Sequence, residues 1–175
     1  MQVGVEEHRK EAPKTVNCMI ITVSDTRTVE TDKSGQLMKE LLTENGNYHV
    51  VDYHIVKDEY TQIQSLIREA SERPEVEAVL LNGGTGITFR DTTYEAVRDM
   101  LDKEMPGFGE IFRYLSYVED IGPAAILSRA IAGVRGATAV FSMPGSSGAV
   151  KLAMNKIIVP ELAHVMREIY KDAKK

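Results

Sequence analysis

Short apolar runs alternate with helical patterns over the first half of this chain, and this alternation constrains its fold most. Residues 16–23 and 76–81 are apolar runs, and residues 48–57 alternate apolar with polar positions as a half-buried strand does. Between these runs, apolar side chains recur at helical spacing over residues 37–42 and 63–70. A β-α-β-α-β order predicts right-handed crossovers and helices on both sheet faces. The predicted fold class is α/β, with three layers (α/β/α) and a mostly parallel sheet.

The second half of the chain predicts further helices and one more strand. Asn45-Gly46 is a stop signal for the first helix, and within residues 48–57 Val51 is expected on the buried side. A strand is expected over residues 137–142, followed by helices that Pro160 should break or restart. Three helices are predicted before that strand, over residues 93–101, 108–117 and 124–132.

Length and charge narrow the class of protein. The 175 residues suit a single domain over residues 15–175, preceded by a flexible N-terminal arm over residues 1–14. A net charge of −5 argues against a nucleic-acid partner. The polar N-terminus and the lack of a long apolar run favour a cytoplasmic protein without a membrane partner. The single cysteine, Cys18, lies in an apolar run and is expected to be buried and inert.

Four polar loops should meet at the carboxyl edge of the sheet, where open α/β sheets bind ligands. The loop after the third predicted strand carries Gly83, Gly84 and Gly86, whose backbone amides can approach an anion closely. Thr85 adds a hydroxyl, and a second loop of the same kind runs over residues 144–148. Two amide-rich loops at one edge predict a site for a polyanionic ligand. For either loop alone, a simple strand-to-helix turn is the competing interpretation.

Two aspartates stand where they could hold a magnesium ion with substrate phosphates. Asp58 follows the second predicted strand and Asp91 closes the first glycine loop. Mg²⁺ typically takes one or two carboxylates, water and phosphate oxygens. A solvated loop acid is the competing interpretation for Asp58, and the four histidines show no spacing for a protein-only metal site. Arg129 is a further candidate for phosphate pairing.

Five ordered motifs resemble the molybdenum cofactor biosynthesis proteins of the MoaB/MogA type. The resemblance covers nearly the whole chain from Val16 to about Tyr170. The motifs are Ser24-Asp25, Gly83-Gly84-Thr85-Gly86 with Arg90-Asp91, Met105-Pro106-Gly107-Phe108-Gly109-Glu110, Ala125-Ile126-Leu127-Ser128-Arg129, and Pro144-Gly145-Ser146.

This resemblance implies molybdopterin binding and its adenylation with Mg-ATP, which releases pyrophosphate. It implies that Asp58 and Asp91 act in catalysis and magnesium binding. It also implies a homo-oligomer, a trimer or hexamer, that meets other proteins of the pathway. The implied substrate- and phosphate-binding residues are Ser24, Asp25, Gly83, Gly84, Thr85, Gly86, Glu110, Pro144, Gly145, Ser146 and Ser147.

Two departures keep a noncatalytic alternative open. Tyr94 stands where the adenylating branch often carries proline, and residues 144–150 resemble the B-type branch more closely. The alternative is a molybdopterin-binding or scaffold protein of the same pathway. A third interpretation is a nucleotide pyrophosphatase or deamidase of the competence-damage type. Thr85 with Arg90-Asp91 fits that branch poorly.

Overall fold

The structure, a computed structural model, describes residues 12–171. The first eleven residues of the predicted arm lie outside this range, and residues 12–14 precede the first strand without regular structure. The strands are β1 (Val16–Val23), β2 (Tyr48–Val56), β3 (Ala78–Asn82), β4 (Lys103–Glu104), β5 (Ile131–Arg135) and β6 (Thr138–Met143). The α-helices are α1 (Lys33–Asn45), α2 (Tyr60–Glu72), α3 (Thr93–Arg98), α4 (Pro106–Glu119), α5 (Ser147–Ala153) and α6 (Val159–Tyr170).

One six-stranded sheet organises the domain, in the order β2-β1-β3-β6-β5-β4. The four strands β2, β1, β3 and β6 are mutually parallel, and β5 and β4 extend the sheet in antiparallel pairs. One apolar core packs α1, α4, α5 and α6 on one face, and a second packs α2 and α3 on the other. The predicted three-layer, mostly parallel architecture is confirmed.

Several local predictions are confirmed by the physical features that motivated them. Helix α1 ends at Asn45 because Gly46 adopts a left-handed conformation at φ +77°. The amide of Gly46 donates a hydrogen bond to the carbonyl oxygen of Thr43. Cys18 is fully buried, and this burial raises the pKa of its thiol to about 12, so the thiol stays protonated and inert.

The predicted helix over residues 124–132 is wrong. A 3₁₀ helix, Gly122–Leu127, ends before Ser128, and β5 starts at Ile131. Gly136 turns the chain at φ +57°, so that β5 pairs back on β6 through a short hairpin. A Cβ at Gly133 would lie 2.3 Å from the carbonyl oxygen of Lys103, which shows how closely edge strand β4 approaches. The last residues of the predicted helix, Ile131 and Ala132, therefore belong to a strand.

The predicted position of Val51 on the buried side is also wrong. The pairing of β1 with β2 shifts register between Cys18 and Met19, where Val50 and then Asp52 are the partners. Val51 is the extra residue of this bulge and its side chain is 39% exposed. One inserted residue moves the alternation by one position, which no local pattern signals.

Two helices differ from their predicted course. The third helix ends at Arg98, earlier than predicted, because the chain turns into β4. Near the C-terminus the chain passes from α5 through a π-helical turn, Met154–Ile158, into α6 without a break. Pro160 lies in the first turn of α6, directly after the π-helical turn, so the predicted break is absent and the helical path continues through the proline.

An unpartnered apolar stripe covers the outer side of α4. Phe108 and Phe112 of this helix are buried against the sheet. Within residues 12–171, no element covers the other side. Its large apolar side chains are about half exposed or more, namely Ile111, Tyr114, Tyr117 and Val118, continued by Ile121 and Ile126. We call these six residues the α4 stripe. No helix in the part of the chain that the structure describes could cross a membrane.

Candidate active site

The parallel strands place three loops side by side at the carboxyl edge. Thr22 of β1 pairs with Asn82 of β3, and Asn82 pairs with Met143 of β6. The loops that follow these strands therefore start at the same level of the sheet. The amide of Gly83 donates to the carbonyl oxygen of Met143 at 3.0 Å, which joins the two glycine loops at their bases.

The first glycine loop needs glycine for steric reasons. Gly83 and Gly84 adopt φ +102° and +62°. A Cβ at Gly83 would lie 2.2 Å from the carbonyl oxygen of Val23, and one at Gly84 would lie 2.3 Å from Oδ2 of Asp58. Among residues 12–171, the amides of Gly84, Thr85 and Gly86 have no hydrogen-bond acceptor. The loop is therefore fixed in shape while its donors stay available for an anion.

Arg129 holds this loop through its carbonyl groups. Its guanidinium donates to the carbonyl oxygens of Gly86 at 2.8 Å and Asp91 at 3.1 Å, pairs with Glu95, and lies 5.2 Å from the ring centre of Tyr94. These contacts occupy the donors that the sequence analysis offered to a phosphate. Arg129 is thus a support of the loop rather than an anion ligand.

The second glycine loop rests directly on the first. A Cβ at Gly145 would lie 3.0 Å from Cα of Gly83, so the two backbones are in contact. The carbonyl oxygen of Gly145 accepts from Nη2 of Arg27 at 2.9 Å and from Oγ of Ser34 at 2.6 Å. Ser146 caps α5, because its Oγ accepts the amide of Ala149 at 3.2 Å.

A buried network behind the second loop was missed by the sequence analysis. Asp32 is 1% exposed and accepts from the amide of Gly35 at 3.0 Å, the hydroxyl of Tyr53 at 2.5 Å and Nη1 of Arg27 at 3.3 Å. Burial alone would raise the pKa of Asp32, but hydrogen bonds from Thr22, Tyr53 and the amide of Gly35, with the charge of Arg27, lower it below its usual value. Only the capping role of Asp32 before α1 had a local sequence signal.

Asp58 connects the end of β2 to the first glycine loop. Its Oδ1 accepts from the amide of Thr92 at 3.1 Å and from the hydroxyl of Thr92 at 2.7 Å, so this carboxylate caps α3 from a distant part of the chain. The side chain is 7% exposed. Burial, together with the charges of Asp91 and Asp25, raises the pKa of Asp58 above its usual value.

Asp91 and Asp58 each keep one oxygen unused. Oδ2 of Asp91 accepts from the amide of Thr88 at 2.9 Å and from its hydroxyl at 2.5 Å. Within residues 12–171, Oδ1 of Asp91 and Oδ2 of Asp58 have no hydrogen-bond partner. No group of three or more acidic, histidine or cysteine side chains in that range could hold a metal ion. The pair fits Mg²⁺ if phosphate and water oxygens complete its shell.

Ser24 and Asp25 have structural contacts. Oγ of Ser24 accepts the amide of Arg27 at 3.1 Å and so shapes the turn after β1. The carboxylate of Asp25 accepts hydrogen bonds from Nε and Nη2 of Arg90 at 3.0 and 3.1 Å. This interaction with Arg90 lowers the pKa of Asp25. Arg90 also contacts Glu59 at 3.1 Å, which ties the glycine loop to the loop after β2.

A cavity of about 280 Å³ lies between the two glycine loops and α4. Its polar side contains seven of the predicted residues: Gly84, Thr85, Gly86, Asp91, Pro144, Gly145 and Ser146. Its other side, which the sequence did not predict, comes from α4, the 3₁₀ helix and the residues that follow them: Phe112, Ser116, Asp120, Ile121, Ala124, Leu127 and Ser128. The remaining predicted residues lie outside the lining, and Glu110 is exposed on α4.

A larger cavity of about 450 Å³ lies between the β4–β5 edge and α6, and residues such as Met105, Val134 and Val165 line it. None of the loops that follow β1, β2, β3 and β6 reaches it. The ligand chemistry argues for the smaller cavity, because convergent amides and paired carboxylates, rather than volume, distinguish a site for a charged ligand.

The fold and the paired loops define a three-layer α/β domain with a crevice of backbone amides and carboxylates at the carboxyl edge of its sheet. A family model described as "Probable molybdopterin binding domain" matches residues 19–164. The chain belongs to this family of molybdenum cofactor biosynthesis proteins.

Individual relatives agree with this assignment. Molybdenum cofactor biosynthesis protein B of Halalkalibacterium halodurans is 71% identical over 97% of this chain and 99% of its own length. A crystal structure of a molybdenum cofactor biosynthesis protein B is 58% identical, has a TM-score of 0.89, and covers 92% of this chain and 99% of its own. The tungsten cofactor synthesizing protein MoaB from Pyrococcus furiosus is 40% identical, with a TM-score of 0.80 over 90% of this chain and 99% of its own.

Proposed function

We propose that this protein adenylates molybdopterin with Mg-ATP and releases pyrophosphate. One observation carries the proposal: the unused oxygens of Asp58 and Asp91 lie beside a glycine loop whose amides have no acceptor among residues 12–171. Burial and the charge of Asp91 raise the pKa of Asp58, and neighbouring carboxylates of this kind suit a divalent ion that arrives with phosphate.

The proposed step is a single displacement at phosphorus. A nonbridging oxygen of the pterin phosphate attacks the α-phosphorus of ATP. The new P–O bond forms as the bond to pyrophosphate breaks, and pyrophosphate leaves with that electron pair. Such transfers depend mainly on positioning and on stabilisation of charge. The amides of Gly84, Thr85 and Gly86 would hold phosphate oxygens, and bound magnesium would offset the charge that develops.

The two sides of the cavity suit the two parts of a phosphorylated pterin. The loops supply donors for the phosphate, whereas Phe112, Ile121, Ala124 and Leu127 supply an apolar wall for a planar ring. A cavity of about 280 Å³ is small for two complete substrates, so the nucleotide would extend toward solvent from the shared phosphate region.

We also propose that the protein is a homo-oligomer, a trimer or hexamer, which acts in the cytoplasm and meets other proteins of the pathway. The α4 stripe supports self-association, because a monomer rarely exposes so many neighbouring aromatic and aliphatic side chains. The buried thiol of Cys18, which has no cysteine partner in the chain, suits a reducing compartment.

A second candidate function is molybdopterin binding without catalysis. This function is favoured by the hydrogen-bonded oxygens of the two aspartates. Oδ1 of Asp58 accepts from Thr92 and Oδ2 of Asp91 accepts from Thr88, so both side chains stabilise the fold. A scaffold protein of the pathway could keep both aspartates for that reason alone.

Pyrophosphate release from purified protein, molybdopterin and Mg-ATP separates the two functions. The comparison includes Asp91→Asn and the control Glu69→Gln, an exposed acid on α2. The enzyme proposal expects wild-type and control activity, and a loss of about 100-fold in Asp91→Asn. Tight molybdopterin binding without pyrophosphate release would leave the binding function alone.

A further inference from the structure

Asp120 is a carboxylate that the fold leaves unpaired at the cavity. It follows the last residue of α4, lines the cavity, and lies against Gly148. A Cβ at Gly148 would stand 3.4 Å from Oδ2 of Asp120. Within residues 12–171, the carboxylate makes no hydrogen bond or ion pair, whereas the neighbouring Glu119 pairs with Lys156 at 3.0 Å.

The position of Asp120 is electrostatically unfavourable with respect to its own helix. α4 has 14 residues, and its C-terminal end carries partial negative charge. A carboxylate there is repelled, and Asp120 lacks the cation that offsets the charge of Glu119. Local features that oppose stability are expected mainly at functional positions.

The charges that line the cavity indicate what Asp120 can bind. Among the lining residues in the described range, Asp91 and Asp120 are the only ionisable ones. Asp91 belongs to the first glycine loop, whereas Asp120 belongs to the side formed by α4 and the 3₁₀ helix, so Asp120 is the charged acceptor on that side. An ionised carboxylate only accepts hydrogen bonds, and its two oxygens suit a pair of adjacent N–H donors.

The geometry points to Asp120 as the residue that recognises the pyrimidine edge of the pterin. A pterin presents N3–H and its 2-amino group side by side, as two parallel donors. The phosphate would lie on the glycine loop and the ring against the wall of Phe112 and Leu127. This inference rests on the proposed binding of a phosphorylated pterin and adds the side chain that selects the ring.

Two small probes test this recognition through equilibrium binding to the full chain. The first is 6-hydroxymethylpterin monophosphate. The second is the matching lumazine monophosphate, which carries an oxygen in place of the 2-amino group. The wild-type protein is expected to prefer the pterin by about 10- to 100-fold, because the lumazine oxygen would face the carboxylate.

Asp120→Asn provides the decisive variant, because its amide offers one acceptor and one donor. It can accept from N3–H and donate to the lumazine oxygen, so the preference should fall to parity or reverse. Glu119→Gln, one position earlier on α4, should keep the wild-type preference. Thermal unfolding of both variants shows whether they fold, and a purely structural role for Asp120 would not move the ratio of the two affinities.

The outcomes separate this inference from the proposed function. Wild-type protein that binds both probes equally would overturn the role of Asp120 and leave phosphate-pterin binding intact. Binding of neither probe by the folded wild-type protein would count against the proposed ligand itself. An unchanged pterin preference in Asp120→Asn would also overturn the inference.

Discussion

Asp58 caps α3 through Thr92, 34 positions away along the chain, by accepting both the amide and the hydroxyl hydrogen of that residue. The same carboxylate is the better buried member of the proposed magnesium pair. One side chain therefore fixes the position of the glycine loop and offers its second oxygen to the site.

Replacement of Asp58 by asparagine should separate these two roles. The asparagine carbonyl can still cap α3, but the charge is lost, so adenylation should fall by about 100-fold. The pKa of Asp58 is raised in the folded protein, so its stabilising contribution is present below the unfolded pKa and is lost as pH rises through the folded pKa. Asp58→Asn should therefore unfold about 2–4 °C higher than the wild type near pH 7, with no gain near pH 4.

Calorimetry at the two pH values checks this prediction. A gain of equal size at both values would show that lost charge is not the cause. A drop in stability at both values would show that asparagine fails to cap α3.

Gly84→Ala should destabilise the protein by about 3 kcal/mol. The left-handed conformation at φ +62° disfavours a side chain, and the new Cβ would also meet Asp58 and Thr93. Gly46→Ala is the matched control, because Gly46 has φ +77° but nothing within 4 Å of the added atom. That variant should lose only about 1 kcal/mol. Urea unfolding measures both, and equal losses would contradict the crowding at Gly84.

Arg129→Met should lower stability by about 2 kcal/mol and weaken ligand binding more than an exposed substitution does. The methionine fills similar volume but frees the carbonyl oxygens of Gly86 and Asp91. Arg129→Lys should recover little of the lost stability. A lysine ammonium group lacks the planar fork of donors with which a guanidinium group binds several carbonyl oxygens. Unfolding midpoints and probe affinity are compared with Arg68→Met, an exposed change on α2. Wild-type values in Arg129→Met would contradict the supporting role.

Tyr114→Arg should reduce the oligomer to smaller species without unfolding the subunit. Tyr114 is 64% exposed in the middle of the α4 stripe, where a charge would oppose burial between copies. Light scattering after size exclusion gives the mass. Val51→Arg, at an exposed valine on the bulge of β2, should leave the mass unchanged. A monomeric wild type would remove the basis of this prediction.

The sequence predicted what depends on local patterns. Strand-helix alternation, the stop at Gly46 and the glycine loops all follow from periodicity and backbone freedom, and the structure contains each of them. The bulge at Val51 and the hairpin at Gly136 were not predicted, because both depend on how strands pair within the sheet.

The candidate site also has a part that local sequence patterns predict and a part that they do not. Its loops could be located from the edge of a parallel sheet, but their supports could not. Arg27 and Arg129 act on carbonyls 118 and 43 positions away, and such contacts leave no trace in local spacing. The wall that contains Asp120 has no local signal, because the pattern over residues 124–132 predicts an α-helix, whereas the chain forms a 3₁₀ helix and then a strand.

The contact between Gly83 and Gly145 has an evolutionary consequence. The two backbones touch without an intervening side chain, and they share a hydrogen bond at the base of the loops. A side chain at Gly145 would press on Cα of Gly83, and a side chain at Gly83 would collide with the carbonyl oxygen of Val23. Across descendants of this chain, positions 83 and 145 should therefore both remain glycine, and libraries that randomise either loop should return few folded clones unless these two positions are held fixed.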